Sequence, residues 1–84
     1  MRLEVGGVYE YGAAPSTVVT YACVAKCMAK TVRKKIVPGY KILVLAAKPA
    51  EWWKAAPDDW EWTPGNILVI PAGAHITVGV RRLD

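Results

Sequence analysis

Apolar positions along this chain recur with two different periods, and each predicts a different kind of element. From Val18 to Val32 they fall at Val18, Tyr21, Ala22, Ala25, Met28, Ala29 and Val32, the i, i+3, i+4, i+7 spacing of a helix with one buried side. Lys26, Lys30 and Arg33 line up on another side, and Arg33, Lys34 and Lys35 cluster at the end, where positive charge complements the helix dipole. Pro15 and Ser16, a candidate N-cap, precede the run. The spacing predicts a helix near 17–35. A β-branched run, Thr17-Val18-Val19-Thr20 before Tyr21, competes with it by favouring a strand.

Elsewhere the pattern is that of strands. Val8–Tyr11, bounded by glycines, reads as a short strand with Tyr9 and Tyr11 on one face. Pro38-Gly39 signals a turn, and Tyr40–Ala46 follows as a nearly unbroken apolar run. Ile67–Ile70 is a second such run, between Pro64-Gly65 and Pro71-Ala72-Gly73. Ile76–Val80 alternates, with Ile76, Val78 and Val80 on one side of a third, half-exposed strand. Between Pro49 and Pro64 the chain reads as a short helix or turn near 50–56, then a loop or extended piece. No repeat, low-complexity tract or linker divides residues 1–84, which form a single domain on this reading.

The predicted fold is α+β, with three to four short, mostly antiparallel strands and one helix near 17–35 packed on one face. A small β-barrel is the alternative, and it takes over if Thr17–Tyr21 is strand. Strands with continuous apolar runs are usually covered on both faces, whereas one helix covers only one. The second cover is left to the tryptophan-bearing segment, to closure into a barrel, or to another subunit.

Composition sharpens that last point. Ala, Val, Ile, Leu, Met, Trp, Cys and Gly make up 48 of 84 residues, about 57% against roughly 45–50% in ordinary soluble domains, although a chain this short buries only about 60–65% of its unfolded surface. No apolar run reaches the roughly 18–20 residues of a membrane span, and Glu4 interrupts the N-terminal stretch where a signal peptide would be apolar. A cytoplasmic location is expected. Cys23 and Cys27, the two cysteines, stand four apart, a spacing poorly suited to a disulfide on strand or helix, so both are expected as reduced, buried thiols.

Catalytic chemistry has little to stand on. His75 is the lone histidine, with no Asp, Glu, Cys or Ser within three residues of it, and no phosphate-binding glycine motif is present. Asp58-Asp59, between Pro57 and Trp60, reads as a turn or helix start rather than as an acid–base pair. The segment Gly65-Asn66-Ile67-Leu68-Val69-Ile70-Pro71-Ala72-Gly73-Ala74-His75 is similar to the second conserved motif of cupins over those eleven residues. One residue separates Gly73 from His75 where the cupin pattern has two, and the histidines of the earlier motif are missing, so no metal site is carried over. No catalytic residue, cofactor or metal is assigned.

Two features point to partners instead. Trp52, Trp53, Trp60 and Trp62 fall within eleven residues. They are candidate anchors of a protein interface, or, in a chain without phenylalanine, simply core. Carboxylates outnumber basic residues around them, which argues against nucleic-acid stacking there. The basic residues lie elsewhere: Lys26, Lys30, Arg33, Lys34, Lys35, Lys41 and Lys48 follow one another with no acid between. The function expected is a non-catalytic protein-interaction module that oligomerises, or docks on a larger assembly as a structural component or inhibitor-type binder, through an apolar, tryptophan-containing surface. The alternative is a nucleic-acid-binding domain using Lys26, Lys30, Arg33, Lys34 and Lys35. A small-molecule site in an aromatic pocket is a third class, with no ligand named.

Overall fold

The structure is a computed structural model that describes residues 2–13, 17–48 and 60–84. Among the described residues five strands form one antiparallel sheet: β1 (Val8–Ala13), β2 (Thr17–Lys30), β3 (Ile36–Lys48), β4 (Ile67–Pro71) and β5 (Val80–Arg82), with α1 (His75–Val78) between the last two. Their order across the sheet is β4-β3-β2-β1-β5. The two outer strands, β4 and β5, do not pair with each other, so the sheet is open.

The fold differs from both expectations. Residues 17–30 form the central, fourteen-residue strand β2, not a helix, and the open sheet replaces the small barrel. The helical spacing misleads because it counts small residues as a buried face. On β2, Val19, Tyr21, Cys23 and Ala29 are buried, the first three on the core face, while Met28 is 59% and Val32, beyond the strand, 101% exposed. The β-branched start and the alternation decide the outcome.

Two further expectations are corrected. Pro38-Gly39 lies inside β3, opposite Met28 and Cys27. The Pro38 carbonyl accepts the Ala72 amide at 3.1 Å, so its nitrogen points past the end of β4, where proline removes no ladder bond. Ile76–Val80 is not a strand. Residues 75–78 make a single helical turn, tied down by the buried Thr77 hydroxyl, which donates to Ala74 O at 2.7 Å and to Ala72 O. Only Val80 continues into β5. The predicted turn or helix near 50–56 and the Ser16 cap fall outside the described residues.

The core lies on one face of the sheet. Tyr9, Val19, Tyr21, Cys23, Tyr40, Ile42, Val44, Ile70 and Val80 meet there, and Leu3, 0% exposed, packs on them from the N-terminal segment. Trp62 and Ile76 close the layer from the 60–66 segment and α1. Irregular chain, not a long helix, covers this face.

Gly39 marks the tightest point. A Cβ there would meet the Ala29 Cβ at 2.6 Å and the carbonyl oxygen of Ile70 on β4, neither of which can swing away. Gly39→Ala is expected to destabilise the fold by about 1–3 kcal/mol, the usual cost of overpacking, read as a lower urea midpoint with unchanged slope. A neutral outcome would mean that β3 and β4 separate more easily than their ladder implies.

Candidate functional site

The face opposite the core is partly open among the described residues: Val8, Ala22, Ala25 and Leu43 on it are half-buried and Ala29, near the arm, is buried, while its composition follows from pleat and register. Side chains alternate between faces along a strand, so the neighbours of the buried Tyr9, Tyr21, Ile42 and Ile70 point the other way. One row across four strands is wholly apolar: Val8 on β1 pairs with Ala22 on β2, Ala22 with Leu43 on β3, and Leu43 with Ile67 on β4. The next row holds Ala25, Lys41 and Val69. Ile67 is 60% and Val69 49% exposed.

Two register shifts enlarge this apolar face. Val24 on β2 and Leu45 on β3 have no cross-strand partner, because Cys23 pairs with Ile42 and Ala25 with Lys41, while Tyr21 pairs with Val44 and Thr20 with Ala46. Each is the extra residue of a bulge. Following the buried Cys23 and Val44, both side chains point to the open face, and both are 45% exposed. Sequence reasoning does not single out Val24, Leu43, Leu45, Ile67 and Val69 one by one; the signal that could have found them is the pair of continuous apolar runs in β3 and β4.

A second surface is the end of the β2–β3 hairpin. Beyond the last β4 pair, Gly39 with Pro71, the two strands continue as Met28–Pro38, Ala29–Val37 and Lys30–Ile36 without a third strand beside them. Thr31–Lys35 closes the hairpin: the Thr31 amide donates to Lys35 O and the Lys34 amide to Thr31 O, both at 2.9 Å. Lys34 has φ 63°, the left-handed residue that such a short loop requires. Lys26, Lys30, Arg33, Lys34 and Lys35 are all exposed; the fold places Lys30, Arg33, Lys34 and Lys35 on this arm and Lys26 at its base, opposite Tyr40.

Their charge is uncompensated. Residues 17–48 carry seven basic side chains and no acid, +7 against −3 for the rest of the chain. Apart from Glu61 in the 60–66 segment, the described acids lie at the opposite, β1–β5 side. Arg81 pairs with Glu10 at 3.0 Å, and Arg82 with Glu4 at 3.2 Å and Asp84 at 2.9 Å. Among the described residues no ion pair reaches the hairpin arm.

The tryptophans divide. Trp60 and Trp62 are half-buried, and Trp62 packs on the core, while Trp52 and Trp53 lie outside the described residues. Cys23 is buried and Cys27 half-buried, both free, and burial pushes the Cys23 thiol up, away from thiolate chemistry. Burial, reinforced by neighbouring Cys23, Tyr9 and Tyr40, also holds the Tyr21 phenol above its ordinary value. It stays a neutral donor to Ile76 O. Among the described residues no three His, Cys, Asp or Glu side chains gather as metal ligands. No described helix is long and apolar enough to cross a membrane. An open hollow of about 760 Å³ beside the arm is lined by Val32, Val37, Pro38 and Pro71 among others, and none of the described buried side-chain polar atoms is left unsatisfied to select a ligand.

No family model, curated protein or solved structure matches this chain.

The Arg82 cluster gives a pH signature. A hydrogen bond from Arg82, and then one from the Val8 amide at 3.2 Å, hold the Asp84 carboxyl below its ordinary value. Because the folded value is the lower one, the contribution to stability is present at neutral pH and is lost as pH falls through that value. Both groups are exposed, so the effect is small. NMR titration should show Asp84 with a midpoint below that of an unpaired aspartate and Val8 amide protection falling with it, a dependence that Asp84→Asn removes; an ordinary Asp84 midpoint would contradict the pairing.

Proposed function

We propose that this protein is a non-catalytic interaction module that associates with a second copy of itself through the open face of its sheet. The observation that supports the reading is the apolar row Val8–Ala22–Leu43–Ile67, extended by Val24, Leu45 and Val69, of which Ile67, Val24, Leu45 and Val69 are 45–60% exposed. Two sheets pack face to face about 10 Å apart with strands roughly aligned. A two-fold axis parallel to the strands, between β2 and β3, sets each row against its own reverse. Leu43 then meets the partner copy's small residue at position 22, large against small, and Ile67 meets the branched residue at position 8.

The area bounds the strength. Four strands by three rows is roughly 20 Å by 20 Å, about 400 Å² before side-chain relief. A standard interface buries about 800 Å² per partner, so the association is at the weak, reversible end. Lys41 lies in the face but opposes the small position 25 of the other copy, with room for its stem to carry the charge outward. A cytoplasmic location belongs to the same proposal.

Light scattering across a concentration series from about 10 µM to about 1 mM, the range where such weak pairs form, should show the mass rising from 9.2 kDa towards twice that value. Val69→Glu with Ile67→Thr is the matching variant. The carboxylate introduced at position 69 would sit opposite Lys41, a favourable cross-strand pair that leaves the fold intact, while making the face polar. This variant should stay monomeric throughout. A wild-type monomer at every concentration sinks the proposal.

A further inference from the structure

We infer that the β2–β3 hairpin arm binds the phosphate backbone of duplex DNA. This inference does not rest on self-association and uses a different surface. Lys26 and Lys30 stand on the core side of the sheet by register, opposite Tyr40 and Ile36, and Arg33, Lys34 and Lys35 form the turn. All five are exposed, none has a carboxylate within salt-bridge reach among the described residues, and the whole hairpin contains no acid. Concentrating +7 on one hairpin while the rest of the chain is net negative costs self-repulsion. A polyanion relieves that by releasing its own counterions.

The shape of the arm selects among polyanions. Past the hydrogen bond of Ala72 to Pro38, two residue pairs and the Thr31–Lys35 turn project, about 7 Å of paired strand at roughly 3.3 Å per residue with the turn beyond it. The major groove of B-form DNA admits a two-stranded ribbon and is about 8.5 Å deep, so the turn can enter it with Lys30 beside the turn, while Lys26, about 13 Å further back along β2, stays at the level of the phosphates. The major groove of A-form RNA is too narrow for this. Single strands are held by stacking on exposed aromatic rings, and the arm itself carries none, while Tyr40, the described ring nearest to it by register, is 6% exposed. A lipid surface would take Val32 and Ile36, both exposed. Inserting them, however, would drag Lys30, paired with Ile36, and Arg33, next to Val32, out of water.

The test is fluorescence anisotropy of the full chain with a mixed-sequence 20-base-pair DNA duplex, the matching single strand, the matching RNA duplex, and vesicles with and without anionic lipid. Binding to the DNA duplex should weaken steeply with salt. The slope of log K against log salt should be on the order of −4 if five cations each meet one phosphate. Lys30→Ala with Lys34→Gly should make that slope shallower by about two. Glycine suits the left-handed position of Lys34, so the turn survives, and unchanged urea unfolding verifies it. No duplex binding at low salt, an unchanged slope in the variant, or preference for the single strand, the RNA or the vesicles overturns the inference.

Discussion

Tyr9 on β1 and Tyr21 on β2 pair across the ladder, with ring centroids 6.0 Å apart and planes tilted by 31°, and they fill the centre of a core that has no phenylalanine. A buried phenol needs a partner for its hydroxyl, and each of these finds one in a segment that covers the sheet. The Glu4 amide donates to Tyr9 Oη at 2.8 Å, and Tyr21 Oη donates to Ile76 O at 2.5 Å. The N-terminal segment and α1 are thereby held over the same face. The hydrogen-bonding needs of two side chains thus determine which side of a thin sheet is closed.

The other side inherits what is left. A small domain buries a smaller fraction of its surface than a large one, and here the described cover goes to one face only. The bulges at Val24 and Leu45 then add apolar side chains to the open one. A bulge that served only to bend β2 and β3 would do as well with a polar residue at that position. Valine and leucine there are at odds with permanent exposure to water, at roughly 25 cal/mol for each Å² left wet.

Parts of this are legible in the sequence, and the reasons are specific. Tyr40–Ala46 and Ile67–Ile70 announce strands because nothing polar but Lys41 interrupts them, and the need for cover on both faces follows from the same runs. The stretch 17–35 misleads because Ala22, Ala25 and Ala29 satisfy a helical stripe without supplying the bulk that a helix must bury. The hairpin turn leaves no signal at all. It contains no glycine, proline or asparagine, and its left-handed residue is Lys34, whereas Pro38-Gly39, which reads as a turn, serves a close strand approach. The basic run is visible as a run. Its collection on a projecting arm depends on the true position of the turn, which precedes the false one.

Charge and hydrophobicity are segregated across the sheet, and that separation constrains how the two surfaces can work together. The carboxylates of Glu4, Glu10 and Asp84 are held by Arg81 and Arg82 at the β1–β5 edge, the apolar rows occupy the middle, and the cations lie at the hairpin end. A two-fold axis parallel to the strands preserves direction along them. Two copies stacked on their open faces would therefore project both arms from the same end, about 10 Å apart at the sheets, rather than from opposite ends. Two such basic arms set side by side repel each other over a Debye length of about 8 Å in physiological salt, which works against the modest apolar contact. A polyanion between the arms would remove that repulsion, so on this geometry the proposed self-association and the proposed anion binding would favour each other.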